Sequence, residues 1–166
     1  MADDTVSQDN MDVSKVWDLM EDISLCMLVT REGDVMHARP MQARPREAEL
    51  AIYFLSDADS HKSDEIGDHS QVCLTFAKLG GGKFLSVSGT ARVLNDRALI
   101  SALWEPAAQA WWSGPDDPDV RVIEVTPAEA QYWTGPNGLV ATIAMVAAAA
   151  TGAPPVLGEQ RKVDLH

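Results

Sequence analysis

Polar and apolar residues alternate along Lys83–Leu94, with Leu85, Val87, Ala91 and Val93 on one face and Ser86, Ser88, Thr90 and Arg92 on the other. That is the pattern of a strand in a sheet with one wetter side. Gln71–Lys78 alternates in the same way through Val72, Leu74 and Phe76, and Gly80-Gly81-Gly82 joins the two runs as a hairpin. An earlier hairpin is predicted from SLCMLVT, the turn Arg31–Asp34 and a strand over Val35–Ala43 that Pro45 ends. Glu49–Ser56 and Val120–Thr126 complete six strands.

Helical spacing appears in four places. Val13, Val16, Trp17 and Met20 predict an amphipathic helix over Val13–Asp22, and His61–His69 forms a second, with Gly67 near its end. The pairs Leu99/Leu103 and Ile100/Trp104 predict a third over Asp96–Trp104, and the apolar run Leu139–Ala150 a fourth, stopped by Gly152 and Pro154-Pro155. Six strands joined mostly by short hairpins, with helices interposed irregularly, predict a mainly β, α+β fold: an antiparallel barrel with peripheral helices. Residues 1–166 make one domain, with the first ten expected to fray.

The turn between the third strand and the second helix carries an electrostatic conflict. Lys62 sits in the first helical turn, where the positive end of the dipole disfavours a cation unless an anion is held there too. A phosphate on the backbone N–H groups, Ser60 and the Lys62 ammonium would resolve it. Arg39 stands out for a different reason. It lies in HARPM, beside Pro40, which confines that strand to an edge or a bulge, the irregularity that often re-aims a side chain beside a site.

Composition narrows the partners. A net charge of -12 repels polyanions, so nucleic acid and anionic membrane surfaces are not expected, whereas a small anion can bind where a few basic residues converge. The acidic N-terminus lacks the order of a signal peptide, and the twelve-residue run Leu139–Ala150 falls short of the roughly 18 residues a membrane span needs. A cytoplasmic location is expected. Cys26 and Cys73 lie in apolar strands and are expected to be buried free thiols. The four histidines lack metal-ligand spacing, so no metal is expected. Asp57-x-Asp59-x-His61 is not a calcium loop, because Lys62 stands where glycine is required, and Gly80–Lys83 is not a phosphate loop, because Phe84 follows the lysine.

HARPM, YFLSDADSHKSDEI (Tyr53–Ile66), KFLSVSGTARV, LWEPAAQAWW and PDDPDVRVIEVTPAEAQYW, taken in order, resemble the general stress protein 26 family. That family is a branch of the pyridoxamine 5'-phosphate oxidase-like flavin-binding split barrels, and the resemblance runs from about Val13 to GEQRKVDL. It implies a six-stranded split barrel, a homodimer, and FMN in two grooves between the subunits. Arg39 then falls at the phosphate, Pro40 and Met41 where the backbone passes the ring, and Phe54, Leu55 and Ser56 beside it on the next strand. Ser60, His61 and Lys62 match the phosphate turn, Lys83 and Phe84 the Arg-Gln pair of the true oxidases whose glutamine contacts the flavin, and Trp111 and Trp112 the partner's approach. The Arg-x-His substrate motif of the true oxidases is missing after Trp133, so pyridoxine phosphate oxidation is not carried over and the substrate stays open. A flavoprotein oxidoreductase, a flavin-sequestering stress protein, and a barrel for deazaflavin or haem are the readings left.

Overall fold

The computed structural model describes residues 2–59, 61–135 and 158–165, with backbone alone for 2–10, 61 and 62. Its chain order is α1 (Ala2–Ile23), β1 (Leu25–Glu32), β2 (Val35–Gln42), β3 (Arg44–Arg46), β4 (Ala51–Asp57), α2 (His61–Asp68), β5 (Gln71–Lys78), β6 (Lys83–Leu94), α3 (Arg97–Leu103), β7 (Val120–Thr134) and β8 (Glu159–Asp164). The strands form one antiparallel sheet in the order β2-β1-β5-β6-β7-β4-β3, with β8 added beside β7.

The two ends of this sheet, β2 and β3, are neighbours in sequence through Ala43 yet share no ladder. The barrel is therefore split along a seam between β2 and β4. Pro40 suits the seam, since a proline without an N–H is tolerated on an edge strand and pairs with Met27 on its other side. Ala43 is held at the crossover by its N–H, which donates to the Ser24 carbonyl at 2.8 Å.

Alternation sends one set of side chains inward. Leu28, Phe54, Leu74, Val87 and Ile123 are fully buried in the barrel core, which Val16, Trp17 and Met20 of α1 close at one side. A second cluster lies on the other face of β4 and β7, where Ile100 and Leu103 of α3 cover Tyr53, Leu55, Val120 and Val122. Asp96 caps α3 by accepting the Leu99 N–H at 3.0 Å.

All six expected strands are present, and two are added. β8 escaped notice because only Val163 of its six residues is buried, leaving no alternation to read. β3 is three residues long and includes Pro45, which was expected to end the preceding strand but instead pairs with Ile52. β7 runs eight residues past the expected end at Thr126, because the register shift beside Gly89 absorbs Pro127. Gly89 is needed there: a Cβ would lie 2.3 Å from the Thr126 carbonyl oxygen. Helix α1 continues back to Ala2, across the residues expected to fray. The expected helix Leu139–Ala150 lies outside the described residues.

The thiols differ in setting. Cys26 is buried, and desolvation, with Cys73 nearby, pushes its pKa up to about 12. Cys73 was also expected to be buried but is half-exposed, its Sγ 3.4 Å from Ser86 Oγ. Ellman's reagent should therefore label Cys73 in native protein and Cys26 only after unfolding. Equal native rates would contradict this placement.

Candidate functional site

The seam brings together β2, the far half of β4 and the start of α2. β3 pairs only with Ala51–Tyr53, so from Phe54 onward β4 has no strand partner on its seam side among the described residues. An open edge of this kind presents backbone donors and acceptors to whatever enters. Both neighbouring side chains are committed elsewhere: Phe54 is buried in the barrel core and Leu55 in the cluster under α3. Ser56 is buried as well. Only the backbone of Phe54 and Leu55 is left to line the seam.

Across the seam, Arg39 shares the inward face with its register partner Leu28. Its guanidinium emerges at the barrel end and grips α2. Nη1 donates to Glu65 Oε2 at 2.8 Å and to Thr30 Oγ1 at 2.7 Å, while Nη2 donates to Glu65 Oε1 at 2.5 Å. The Thr30 hydroxyl donates to the same carboxylate. Glu65 is only 3% exposed, and its pKa is lowered, first by the Arg39 hydrogen bonds and then by Thr30 against the opposing cost of burial. Arg39 thus fixes α2 to β2 by a two-pronged pair. Its Nε and one Nη2 hydrogen make no hydrogen bond among the described residues, so the guanidinium keeps donors for a ligand.

The other expected site residues divide. Pro40 points away from the core and Met41 packs against it. His61 and Lys62 open α2, with their side chains outside the described residues, as is Ser60 altogether. Trp112 joins the seam's end: its Nε1–H donates to Asp57 Oδ1 at 2.8 Å, and its ring lies 6.5 Å from that of Trp104. Lys83 does not join it. The row through Arg39, Leu28 and Leu74 reaches β6 at Val87, and Lys83 lies four residues further, roughly 13 Å along the strand and three strands across. Its ammonium instead donates to Asp22 at 3.0 Å, beside Lys78 at 2.6 Å.

Sequence reasoning missed Glu65, Thr30 and Arg121. Glu65 reads as a solvated helix position, because nothing local reveals that Arg39 will lie opposite. Arg121 pairs in register with Ser56 and so adds a second guanidinium near the β4–α2 turn, with Nη1 donating to the carbonyls of Pro118 at 2.7 Å and Val120 at 2.9 Å. Ligand atoms of Glu32, His37 and Glu65 also lie within 4.8 Å of one another, but the Arg39 guanidinium already holds Glu65, where it would repel a metal ion.

Comparison with known proteins places this architecture. Residues 11–155 match the family model described as pyridoxamine 5'-phosphate oxidase like. The chain belongs to that family. General stress protein 26 of Bacillus subtilis is 25% identical over 118 residues, covering 69% of this chain and 83% of its own. A solved general stress protein 26 structure from Jannaschia sp. CCS1 superposes with a TM-score of 0.74 at 25% identity, covering 93% of this chain and 98% of its own. The structure of a general stress FMN/FAD binding protein from Xanthomonas citri gives a TM-score of 0.64 at 29% identity, covering 72% and 86%. The split antiparallel barrel is thus the fold of the pyridoxamine 5'-phosphate oxidase-like family, and the general stress protein 26 resemblance drawn from the motifs holds. Among the described residues no helix is long and apolar enough to cross a membrane.

Proposed function

We propose that this chain binds FMN in the seam between β2 and β4, as a homodimer with two such sites. The observation that carries the reading is the backbone of β4 at Phe54 and Leu55, which has no strand partner on its seam side among the described residues and lies across the seam from Arg39, shortly before α2. The donor set suits a flavin mononucleotide: the backbone of Phe54 and Leu55 for the polar rim of the ring, and the N-terminus of α2, Ser60, Lys62 and the spare Arg39 donors for the phosphate. Asp57, Asp59, Asp64 and Glu65 outnumber Arg39 and Lys62 around this turn, so the phosphate would rely on direct hydrogen bonds to backbone N–H groups and basic side chains rather than on a positive local balance. The FMN/FAD binding relative from Xanthomonas citri supports the choice of flavin.

When bound, the flavin supplies electron or hydride transfer, and the protein's part is to hold and orient it. A dimer is favoured by one surface feature. Trp111 is 81% exposed beside the seam-end Trp112, a large apolar surface suited to burial against a second copy. Were Lys83 to meet the flavin at all, it would have to do so from the partner, since within one chain it lies far from Arg39 and pairs with Asp22.

Titration of the apo protein with FMN and riboflavin, followed by flavin fluorescence, tests the reading. FMN should bind about one to two decades more tightly than riboflavin, and Lys62→Ala should erase most of that preference while leaving riboflavin nearly unchanged. Equal affinity of the wild type for both flavins would remove the phosphate from this turn. Light scattering at micromolar protein should give twice the chain mass of 18.0 kDa.

A further inference from the structure

A second concavity lies away from the open edge of β4, between the end of α1, the β2–β3 crossover and the end of α3. It is an open groove of about 330 Å³, at the low end of the range of small-molecule sites. Arg44 reaches it from β3, where it pairs in register with Tyr53. The Arg44 side chain is only 13% exposed, and its donors are poorly used. Nη1 donates to the Gln42 carbonyl at 3.2 Å, Nε is sealed from solvent without a partner, and Nη2 makes no hydrogen bond among the described residues. Nη2 forms a loose ion pair with the half-exposed Glu105 at 3.5 Å, longer than a normal hydrogen bond. Burial pushes the Arg44 pKa down, with Glu105 opposing. Buried guanidinium groups left short of acceptors are costly, so a site of this kind gains by receiving one.

We propose that this cavity binds a small monocarboxylate with an apolar body. The carboxylate takes the Nη donors of Arg44, since the sealed Nε is out of reach, and Leu103 and Trp104 line the wall for the apolar part. Arg44 and Arg46 are balanced by Glu21 and Glu105 on the same lining, so a monocarboxylate is held by direct Arg44 hydrogen bonds rather than by net charge, and a phosphate dianion meets twice the repulsion from the two carboxylates. Glu105 acts as a tethered competitor for Arg44. The site is separate from the flavin reading, since it uses neither Arg39 nor the Phe54–Leu55 edge, although its Trp104 packs near the seam-end Trp112.

Isothermal titration with benzoate, and with neutral benzamide as its isostere, decides the matter on the full chain. Benzoate should bind saturably at one site per chain, at least about tenfold more tightly than benzamide. Arg44→Gln should weaken benzoate by about ten- to a hundredfold, and Glu105→Gln should strengthen it by removing the competitor. FMN should not displace it. Should Arg44→Gln fail to fold, the benzoate-to-benzamide ratio and the Glu105→Gln arm still decide. No saturable binding, equal affinity for the two probes, binding unaffected by Arg44→Gln, or weaker binding in Glu105→Gln would overturn the proposal. Displacement by FMN would assign the benzoate to the flavin site, and so would overturn it too, while leaving the flavin reading intact.

Discussion

Arg39→Ala should lower folding stability by about 3–5 kcal/mol, because it strands Glu65 as a buried, unpaired carboxylate. Glu65 is 3% exposed, and Arg39 supplies two of the three side-chain hydrogen bonds that its carboxylate accepts among the described residues, as a fork across both oxygens. The remaining donor, Thr30, cannot neutralise it. Chemical denaturation measures the loss, and a second variant separates its cause. Replacing the pair together, Arg39→Met with Glu65→Leu, should restore most of the stability, since a buried ion pair is often no better than an apolar pair of similar volume. If the spare Arg39 donors reach the flavin phosphate, that restored variant should still have lost part of the preference for FMN over riboflavin. A single alanine variant as stable as wild type would mean that Arg39 does not hold α2.

The same pair sets an acid limit. The Glu65 pKa is lowered in the folded protein from its ordinary value of 4.5. A depressed carboxyl contributes its full stabilisation above the unfolded value and loses it as pH falls through the folded one. The wild type should therefore lose this contribution below pH 4.5, toward the lower folded value, and the double variant should lack that component of the acid transition.

Phe54→Ala should also cost about 3–5 kcal/mol, the range for emptying a large aromatic site in a core. For a chain of this size that is a fall in melting temperature on the order of 10 °C. Phe54 was expected beside the flavin ring, and its backbone does border the seam, but its side chain is fully buried among barrel residues. FMN affinity measured well below the melting midpoint should consequently stay within a few-fold of wild type. A small stability change with a large loss of FMN would put the ring in the ligand site after all.

Alternation, turn glycines and helical spacing were enough to locate β5, β6 and the core of the first hairpin, because those signals are local: each strand's inward set is written every second residue. The family resemblance was likewise carried by short ordered stretches. What escaped depended on the rest of the molecule. β8 is held by pairing with β7 rather than by an apolar face, and Pro127 continues a strand only because a bulge opposite Gly89 accepts it. Arg39 could be singled out as unusual from Pro40 beside it, but its partner Glu65 lies 26 residues on, and only the barrel's closure brings them together. The expectation of an anion at the Lys62 turn could be drawn from the sequence alone, since a helix dipole acts within one turn. The direction in which a strand residue points depends on which face the sheet buries, so the commitment of Phe54 to the core, the separation of Lys83 from Arg39 and the exposure of Trp111 were decided by tertiary structure.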